Sequence, residues 1–393
     1  MKRVVVLGGG PAGAFAAHKL AQAGLETFVL DEKLAWEKPC GGGITYKAYE
    51  RYPFLRDNDT PKQVITETYI AAPQAGPARM NLRQPLLIYS RYDLNRMLLT
   101  RAESAGAKVE KTRVLGLQRQ DERWRLKTRH GDLDADYCIV ATGARNPLRD
   151  VGTQLRPSDT MIALGYYVAE NRNHVDIQFL PGLEGYIWVF PRQGHLSVGI
   201  CGKGEPAQKL RARLETYMRE KQIDYAKAQF YSHLLPSLEV PAWKSNRLAG
   251  DGWMAVGDAG GLVDPITGEG LYYAMRSADL ATDVIIRDAH PVHEISSVYR
   301  RDLHHDFGED LAFGACIAQR VFLGRFLFRA VPTRMVEFMH RSPRFLELMQ
   351  DLFAGTQPYL TLRQRLLRNL NGTLQEILMS FMVQRIVPGD QRA

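Results

Sequence analysis

Cysteine is scarce in this sequence, and long apolar runs are missing from it. The four cysteines, at positions 40, 138, 201 and 316, are widely separated and fit neither a metal-ligand spacing nor a disulfide framework. We therefore expect no metal site and a reducing, cytoplasmic compartment. No run of about eighteen apolar residues occurs, and only four apolar residues separate Met1-Lys2-Arg3 from the first glycine. The sequence therefore predicts neither a membrane-spanning helix nor a signal peptide.

Lysine is absent from the last fifth of the chain, where arginine takes its place. Residues 312–393 contain eleven Arg, no Lys and five acidic residues, in a 393-residue chain with a net charge of +8. One interpretation is a basic but unspecialised surface. The other is an anionic partner, such as a phospholipid or a phosphorylated substrate, with the protein peripheral on the inner face of a membrane. We predict no nucleic-acid partner.

The first thirty residues alternate two buried strands with a helix. The apolar run Val4-Val5-Val6-Leu7 predicts a parallel strand that is covered on both faces. Residues 12–23 have a helical pattern, and Gly24 stands where a left-handed helix cap is expected. The run 27–30 predicts a second buried strand. This order is typical of the first half of a dinucleotide-binding unit.

Three glycines join the first predicted strand to the helix with G-x-G-x-x-G spacing. Gly8 fits a tight turn, Gly10 lets the backbone approach a pyrophosphate, and Gly13 lets the helix pack on the strand. The pyrophosphate would lie at the helix N-terminus, where free N–H groups favour negative charge. Asp31, at the end of the second strand, can accept hydrogen bonds from ribose hydroxyls. Together these residues predict a dinucleotide site.

Two later segments indicate which dinucleotide the predicted site binds. Residues 136–143 predict a buried strand that ends in Ala-Thr-Gly, a segment similar to one in two-dinucleotide flavoproteins. Residues 257–271 follow another predicted strand, and their G-D…P…G-E-G pattern resembles the second FAD fingerprint of the hydroxylase-type flavoprotein superfamily. The resemblance implies that Asp258 binds a ribityl or ribose hydroxyl. It also implies that a helix beginning near Gly268 faces the flavin pyrimidine oxygen with its N–H groups.

Residues 38–45, Lys-Pro-Cys-Gly-Gly-Gly-Ile-Thr, narrow the resemblance further. They resemble the K-P-C-G-G segment of the geranylgeranyl reductases, and the stretch Gly185–Pro191 resembles the Y-x-W-x-F-P signature of the same family. The resemblance implies FAD as the cofactor and places Cys40 beside the flavin, with its role left open. Arg91 lies just before a helical pattern at 93–105, and its position resembles that of an arginine that reaches FAD phosphate in the superfamily. The alternative is that Arg91 is a surface arginine at the start of a helix. The cofactor-binding residues predicted in this way are Gly8, Gly10, Ala12, Gly13, Asp31, Gly41, Gly42, Arg91, Val114, Thr142, Gly143, Asp258, Pro265, Gly268, Gly270 and Leu271.

Alternating aromatic residues predict how a substrate is bound. Tyr186, Trp188 and Phe190 fall on one face of a predicted strand because side chains alternate with a period of two. Such a face could be an ordinary core strand or an aromatic wall for an apolar substrate. Because the FAD motifs occur in the same chain, the aromatic wall for an apolar substrate is the favoured interpretation.

The family resemblance implies an FAD-dependent reductase of carbon–carbon double bonds in an isoprenoid chain. Protonation of the alkene would precede hydride transfer, and Tyr186 and Trp188 would stabilise the resulting carbocation through their ring faces. NADPH, reduced ferredoxin and a quinol-type donor all stay open as electron sources. A flavin monooxygenase or halogenase is the alternative, since Gly185–Pro191 also resembles the G-W-x-W-x-I-P motif of halogenases. A non-catalytic, electron-carrying flavoprotein is a third hypothesis.

The fold class predicted is α/β, α+β overall, in three parts. A Rossmann-like three-layer FAD domain is expected from residues 1–60, 91–150 and 246–300, and an antiparallel-sheet substrate domain from 61–90 and 151–245. Residues 301–393 are expected to form a helical C-terminal region, with a break at Asn371-Gly372 and a last apolar stretch at 379–387. Its mixture of large apolar residues and arginines fits helices packed on the main body or an interfacial helix on a bilayer.

Overall fold

The computed structural model describes residues 2–120, 122–287 and 292–368, together with residue 372. The predicted break at Asn371 and the apolar stretch 379–387 lie outside the described residues. The helices are α1 Pro11–Gln22, α2 Tyr46–Arg51, α3 Arg91–Ser104, α4 Ala207–Glu220, α5 Val240–Ser245, α6 Leu271–Arg287, α7 Val292–Leu303, α8 Glu309–Leu323, α9 Val331–Arg341 and α10 Pro343–Ala354, and residues 359–368 are also helical. The strands are β1 Arg3–Leu7, β2 Glu26–Asp31, β3 Gly43–Ile44, β4 Lys62–Ala72, β5 Gly76–Tyr89, β6 Lys108–Lys111, β7 Val114–Gln120, β8 Arg123–Thr128, β9 Gly131–Ala135, β10 Tyr137–Val140, β11 Thr160–Val168, β12 Val175–Phe179, β13 Glu184–Arg192, β14 His195–Lys203, β15 Gln229–Pro236, β16 Ala249–Gly250, β17 Trp253–Ala255, β18 Arg325–Phe326 and β19 Arg329–Ala330.

A six-stranded sheet with the order β16-β17-β10-β1-β2-β6 forms the middle of a three-layer unit. Its pairs are parallel except for the β16–β17 edge. Val4 and Val6 of β1 face the layer that contains α1, α3 and α6, whereas Val5 and Leu7 face the small antiparallel sheet β7-β8-β9. Because both faces of β1 are covered, its apolar run is continuous. The three-layer Rossmann-like fold predicted from the sequence is confirmed.

A second sheet of eight strands has the order β15-β11-β14-β13-β12-β4-β5-β3. All of its pairs are antiparallel except β12 with β4. Ile187 and Val189 of β13 pack in the cluster that contains Leu210 and Leu214 of α4. The alternate residues of β13 therefore point to the opposite face, where the sheet borders a cavity. The predicted boundaries between the FAD and substrate domains stay a prediction; β3, from the segment assigned to the FAD domain, pairs with this second sheet.

The C-terminal helices cover the cavity face of the second sheet. The helices α9 and α10 pack against β4 and β5 in one apolar cluster, and α8 approaches β13. Between α8 and α9 the chain forms a two-stranded hairpin, β18–β19, in which Leu327 and Phe328 have left-handed φ angles of 47° and 67°. The sequence pattern gave no sign of this hairpin, because neither residue favours that conformation. Within the described ranges, no helix is long and apolar enough to cross a membrane.

Candidate functional site

The first glycine loop forms an open cradle at the N-terminus of α1. Gly8 has a φ of 111°, and a Cβ atom there would lie 2.3 Å from the Ala141 carbonyl oxygen. A Cβ on Gly13 would lie 1.9 Å from the carbonyl oxygen of Gly8, so the helix packs as closely as the spacing predicted. No heavy atom lies within 4 Å of the corresponding position on Gly10. This free space, in front of uncapped N–H groups, fits a pyrophosphate.

The carboxylate of Asp31 holds this loop in place. It accepts hydrogen bonds from the N–H groups of Gly9 at 2.7 Å, Lys33 at 2.7 Å and Leu34 at 2.8 Å. Because a carboxylate offers about four acceptor positions, one is left for a ribose hydroxyl. Asp31 therefore holds the glycine loop in place and still has one acceptor position for the ribose hydroxyl that its place in the sequence predicts.

The second glycine loop meets the first through direct packing. A Cβ on Gly257 would lie 3.4 Å from that of Ala12 in α1. Beyond it, Gly268 adopts a φ of 70°, and Gly270 and Leu271 lead into α6. These last three residues line the cavity. Pro265 lies on the other side of the loop, against Gly314 of α8.

The negative charge of Asp258 is paired with Lys38. This lysine belongs to the loop between β2 and β3, residues 32–42, which contains Cys40 and is called the Cys40 loop. Lys38 Nζ lies 3.1 Å from Asp258 Oδ2, and both side chains are largely buried. Burial would raise the pKa of Asp258, but nearby positive charge, above all the Lys38 ammonium with its hydrogen bond, outweighs it and the pKa lies below its ordinary value. Asp258 is thus an ionised acceptor beside the cavity, as a residue that binds a ribityl hydroxyl requires.

Two buried polar atoms near Asp258 have no partner among the described residues. They are Nε of Arg91, whose residue is only 4% exposed, and Nε2 of His233. Burial, reinforced by the Lys38 cation, lowers the pKa of His233 to about 3, so its ring is neutral at pH 7. Buried polar atoms without partners are unusual in native proteins. They fit a polar group of a bound cofactor, and the burial of Arg91 disfavours the surface-arginine alternative.

The remaining predicted cofactor residues flank the first loop. Thr142 Oγ1 donates to Asn146 Oδ1 at 3.0 Å, and Gly143 follows it with a φ of 79°. The Thr112 N–H donates to the Asp31 carbonyl at 3.0 Å, so the chain passes the end of β2 just before Val114. Val114 itself packs at the edge of the apolar layer beneath the parallel sheet. The contacts of these residues with a cofactor stay a prediction.

The Cys40 loop lies flat against the aromatic strand. A Cβ on Gly41 would lie 2.0 Å from Phe190 Cδ2, and one on Gly42, whose φ is 85°, would lie 2.1 Å from the Tyr89 carbonyl oxygen. Cys40 is partly exposed and lines the cavity. Only glycine fits at positions 41 and 42, so the backbone itself forms this part of the wall.

Arg192, which no sequence motif identified, holds this loop. Its side chain has no solvent exposure and donates hydrogen bonds to the carbonyl oxygens of Cys40 and Gly41 and to the carboxylate of Glu37. The one signal in the sequence was its place directly after the aromatic motif. Arg192 therefore ties the second sheet to the loop between β2 and β3.

A cavity of about 710 Å³ lies between the second sheet and the C-terminal helices. The aromatic side chains of Tyr186, Trp188 and Phe190 form one wall, as predicted, and Tyr186 Oη donates to the Thr267 carbonyl. Apolar residues of the C-terminal helices form the facing wall; among them are Ile317, Val321, Met335, Phe338, Leu348 and Leu352. One side of the cavity reaches the Cys40 loop and the start of α6. The space therefore suits an extended apolar molecule that reaches the cofactor loops.

Comparison with known families agrees with the FAD motifs. The profile of the family described as pyridine nucleotide-disulphide oxidoreductase matches residues 2–161. These residues contain the first glycine loop and the Thr142-Gly143 turn. The match and the fold together support an FAD-dependent oxidoreductase, as the sequence predicted.

Comparison with curated proteins confirms the resemblance inferred from the motifs. Geranylgeranyl diphosphate reductase of Synechocystis is 28% identical over 388 residues, and the match covers 89% of each chain. Digeranylgeranylglycerophospholipid reductase 2 of Methanopyrus kandleri is also 28% identical, over 72% of this chain and 76% of that protein. The similarity thus extends well beyond the dinucleotide motifs.

Solved structures share the overall architecture. A geranylgeranyl bacteriochlorophyll reductase-like protein of Thermoplasma acidophilum superposes with a TM-score of 0.76 at 21% identity, covering 94% of this chain and 99% of that one. A flavin-dependent brominase gives a TM-score of 0.69 at 16% identity and covers 90% of this chain. At these identities the likeness shows the fold, which reductases and halogenating enzymes have in common.

Proposed function

We propose that this protein is an FAD-dependent reductase of carbon–carbon double bonds in an isoprenoid chain. The observation that carries the proposal is the apolar, aromatic-walled cavity, which runs from the cofactor loops to the C-terminal helices. Two relatives named as geranylgeranyl reductases, similar over most of the chain, support the same substrate class. A cavity of this size is within the usual range for small-molecule sites and has room for a flexible hydrocarbon.

The chain's own residues account for cofactor binding in this proposal. Gly10 leaves room for the pyrophosphate, Asp31 and Asp258 accept ribose or ribityl hydroxyls, and Arg91 supplies a buried cation. FAD, when bound, supplies the two-electron chemistry. The protein's part is to exclude water and to orient the alkene along the aromatic wall, whose ring faces favour developing positive charge. NADPH, a reduced ferredoxin and a quinol-type compound are all compatible with this site as electron donors.

A halogenase or monooxygenase is the second candidate, and the structural likeness to a brominase favours it. A halogenase would need a catalytic lysine, and Lys62, in the polar segment Thr-Pro-Lys-Gln, does not line the cavity. Its ammonium donates to the Asn58 carbonyl at 2.6 Å and lies over the Tyr89 ring. Lys47 does line the cavity, but its ammonium lies over two tyrosine rings. The loop Lys-Pro-Cys-Gly-Gly-Gly also differs from the loop that halogenases have at this position. These features favour the reductase.

Anaerobic turnover separates the two candidates. The holoprotein would be reduced with dithionite and mixed under argon with geranylgeranyl diphosphate, and flavin reoxidation and product mass would be followed. We expect reoxidation together with a gain of two hydrogens per reduced double bond. Reoxidation that occurs only after oxygen is admitted, with an oxygen or halogen in the product, would replace the reductase by the second candidate.

We also propose that the hairpin β18–β19 brings the cavity to an anionic bilayer from the cytoplasmic side. Phe328 is 94% exposed and Leu327 52% exposed at its tip, and Phe326 at its base lines the cavity. Arg325 is exposed beside the tip and has no ion pair with the described residues. An apolar tip flanked by arginine complements acyl chains and lipid phosphates.

Vesicle flotation tests this contact. Wild-type protein should float with vesicles that contain phosphatidylglycerol and less with vesicles of phosphatidylcholine alone. The variant Phe328→Ser should lose most of this binding, whereas Phe230→Ser, which changes a phenylalanine that is 41% exposed on β15 away from the hairpin, should keep it. Equal flotation of all three proteins would reject the hairpin as the membrane contact.

A further inference from the structure

Reduction of an isolated alkene needs a proton as well as a hydride, and the cavity wall contains a carboxyl group suited to deliver it. Glu269 lies in the turn before α6, at the border between the cofactor loop and the apolar cavity. Its Oε1 accepts the Tyr272 N–H at 2.8 Å, and the Leu271 N–H is a second, weaker backbone donor to the same carboxyl group. Backbone donors at the start of α6 therefore anchor the carboxyl group at the cavity wall.

Several other titratable groups of the wall are poorly suited to donate a proton. Burial raises the pKa of Cys201 to about 12 and lowers the pKa of His233 to about 3, so at pH 7 the thiol keeps its proton and the imidazole has none to lose. Burial also raises the pKa of each wall tyrosine, namely Tyr186, Tyr231, Tyr273 and Tyr359.

The second carboxyl group of the described wall, Asp264, is held by three donors. The single Tyr359 O–H is shared between its two oxygens at 2.9 Å, and the N–H groups of Ile266 and Thr267 donate to Oδ1 at 2.8 and 3.0 Å. These bonds reach both oxygens and fix the turn that precedes Glu269. Asp264 is therefore a structural member of the loop, whereas Glu269 is held by fewer hydrogen bonds and is the better placed proton donor.

We propose that Glu269 is the catalytic acid that protonates the substrate alkene; this inference rests on the reductase function proposed above. The Oε–H bond breaks, its proton forms a C–H bond with the electron pair of the alkene, and the neighbouring carbon becomes a tertiary carbocation. FAD, when bound and reduced, would be the two-electron reductant and would supply the hydride that completes the saturated product. The carboxylate left on Glu269 regains its proton from water before the next double bond is reduced.

The surroundings of Glu269 keep a proton available near neutral pH. Burial raises the pKa of Glu269 to about 7; the Asp264 carboxylate adds to this effect, and the Tyr272 N–H and the Lys47 ammonium oppose it. Lys47, from α2, lies over the rings of Tyr272 and Tyr273 at 4.4 and 5.2 Å from their centroids. The Lys47 cation favours the carboxylate that is left after proton transfer. An acid with a pKa near the working pH is what general acid catalysis favours.

The test compares Glu269→Gln with Glu269→Asp and with a matched control, Glu184→Gln. Glu184 is also a carboxyl group whose pKa is raised by burial, but it lies at the start of β13 outside the cavity wall. Single-turnover reoxidation of dithionite-reduced holoenzyme by geranylgeranyl diphosphate would be followed under argon from pH 5 to 9. In parallel, infrared spectra of the oxidised holoprotein without substrate would follow the carbonyl stretch of protonated carboxyl groups over the same pH range.

We expect Glu269→Gln to lower the rate by about 100-fold or more, because general acids contribute factors of that order. The wild-type rate should fall as pH rises through about 7, the pKa of Glu269, and Glu184→Gln should keep both the rate and this profile. Glu269→Asp should retain part of the rate with a pH dependence of its own. A protonated-carboxyl band that titrates near pH 7 should be present in the wild type and in Glu184→Gln, and missing in Glu269→Gln.

Three results would overturn the assignment. They are an unchanged rate and pH profile in Glu269→Gln, a loss of rate that merely follows a loss of bound flavin, and the absence of a carboxyl band that titrates near pH 7. Failure of the reductase function itself looks different. In that case the wild-type flavin is not reoxidised by geranylgeranyl diphosphate at all, while the infrared band still reports whether Glu269 holds its proton.

Discussion

Arg192 and Glu37 form an ion pair that joins three parts of the site. The guanidinium has no solvent exposure, and its donors reach the Glu37 carboxylate and the carbonyl oxygens of the Cys40 loop. The same carboxylate accepts hydrogen bonds from Ser90 Oγ at 2.8 Å and from the Arg91 N–H at 2.9 Å. One pair therefore fixes the end of the aromatic strand β13, the Cys40 loop and the start of α3, from which Arg91 projects.

Replacement of Arg192 should destabilise the protein far more than loss of a surface arginine. In Arg192→Met the Glu37 carboxylate keeps its backbone donors but loses its cation, which we expect to cost about 3 kcal/mol in the free energy of unfolding. Arg79→Met removes an exposed partner of Glu67 and should cost about 0–1 kcal/mol. Urea unfolding of both variants measures the difference. Equal losses would mean that the Arg192 pair does not stabilise the fold.

The contribution of this pair should depend on pH in the acid range. Burial would raise the pKa of Glu37, but Arg192 and the hydrogen bonds from Ser90, Arg91 and Tyr92 outweigh it, and the pKa lies below the ordinary value of 4.5. Because the folded pKa is the lower one, the stabilisation is complete above pH 4.5 and is lost as pH falls through the folded pKa.

The variant Glu37→Gln cannot titrate at this position. The difference between wild type and Glu37→Gln in the free energy of unfolding should therefore be largest at pH 6–7 and should shrink steadily below pH 4.5. Urea titrations at several pH values would measure it. A difference that is constant from pH 7 to pH 3 would show that the charge of Glu37 is not what stabilises the loop.

Local patterns were enough to predict the dinucleotide half of the fold. Four consecutive apolar residues identified β1 because both of its faces are covered, and the glycine spacing identified the turn because Gly8 and Gly13 allow no side chain. The shared face of Tyr186 and Trp188 followed from the period of two along a strand. In each case the signal lies within a few neighbouring residues.

Other features join positions that are far apart and therefore leave no periodic signal. Arg192 and Glu37 are 155 positions apart, and Tyr359 and Asp264 are 95 apart. Nothing in the local sequence of either partner identifies the other. The hairpin at 325–330 was missed for a different reason: Leu327 and Phe328 adopt a backbone conformation that their residue types disfavour.

Cysteine alkylation should show that an isoprenoid occupies the cavity beside Cys40. In the native holoprotein, iodoacetamide should react with the exposed Cys316 and with the partly exposed Cys40, whereas the buried Cys138 and Cys201 should stay unmodified. Geranylgeranyl diphosphate should slow the modification of Cys40 by about tenfold at nine-tenths occupancy, by mass action. Peptide mass spectrometry would follow each site, with Cys316 as the internal control. Equal slowing at both cysteines, or none at Cys40, would contradict the placement of the substrate.

Trp188 provides the most direct test of the aromatic wall. Its ring lies against Gly199, where a Cβ atom would be 2.3 Å away, and its Nε1 donates to Ser197 Oγ at 3.3 Å. A desolvated cation–π contact is worth about 2 kcal/mol, so Trp188→Leu should lower the single-turnover rate by about 30-fold. Trp188→Phe keeps a ring face and should lose less. Since positive charge develops only in the transition state, the rate should fall while substrate affinity changes little.

A second tryptophan serves as the control for Trp188. Trp124, in β8, is buried in the apolar layer beneath the parallel sheet and does not line the cavity. Trp124→Leu should therefore lower stability, because a large buried ring is lost, yet keep the rate per bound flavin. The rates of the three variants would be normalised to flavin content and measured anaerobically with geranylgeranyl diphosphate. If Trp188→Leu reacts as fast as the wild type, the wall binds the hydrocarbon by shape alone and carbocation stabilisation must come from elsewhere in the cavity.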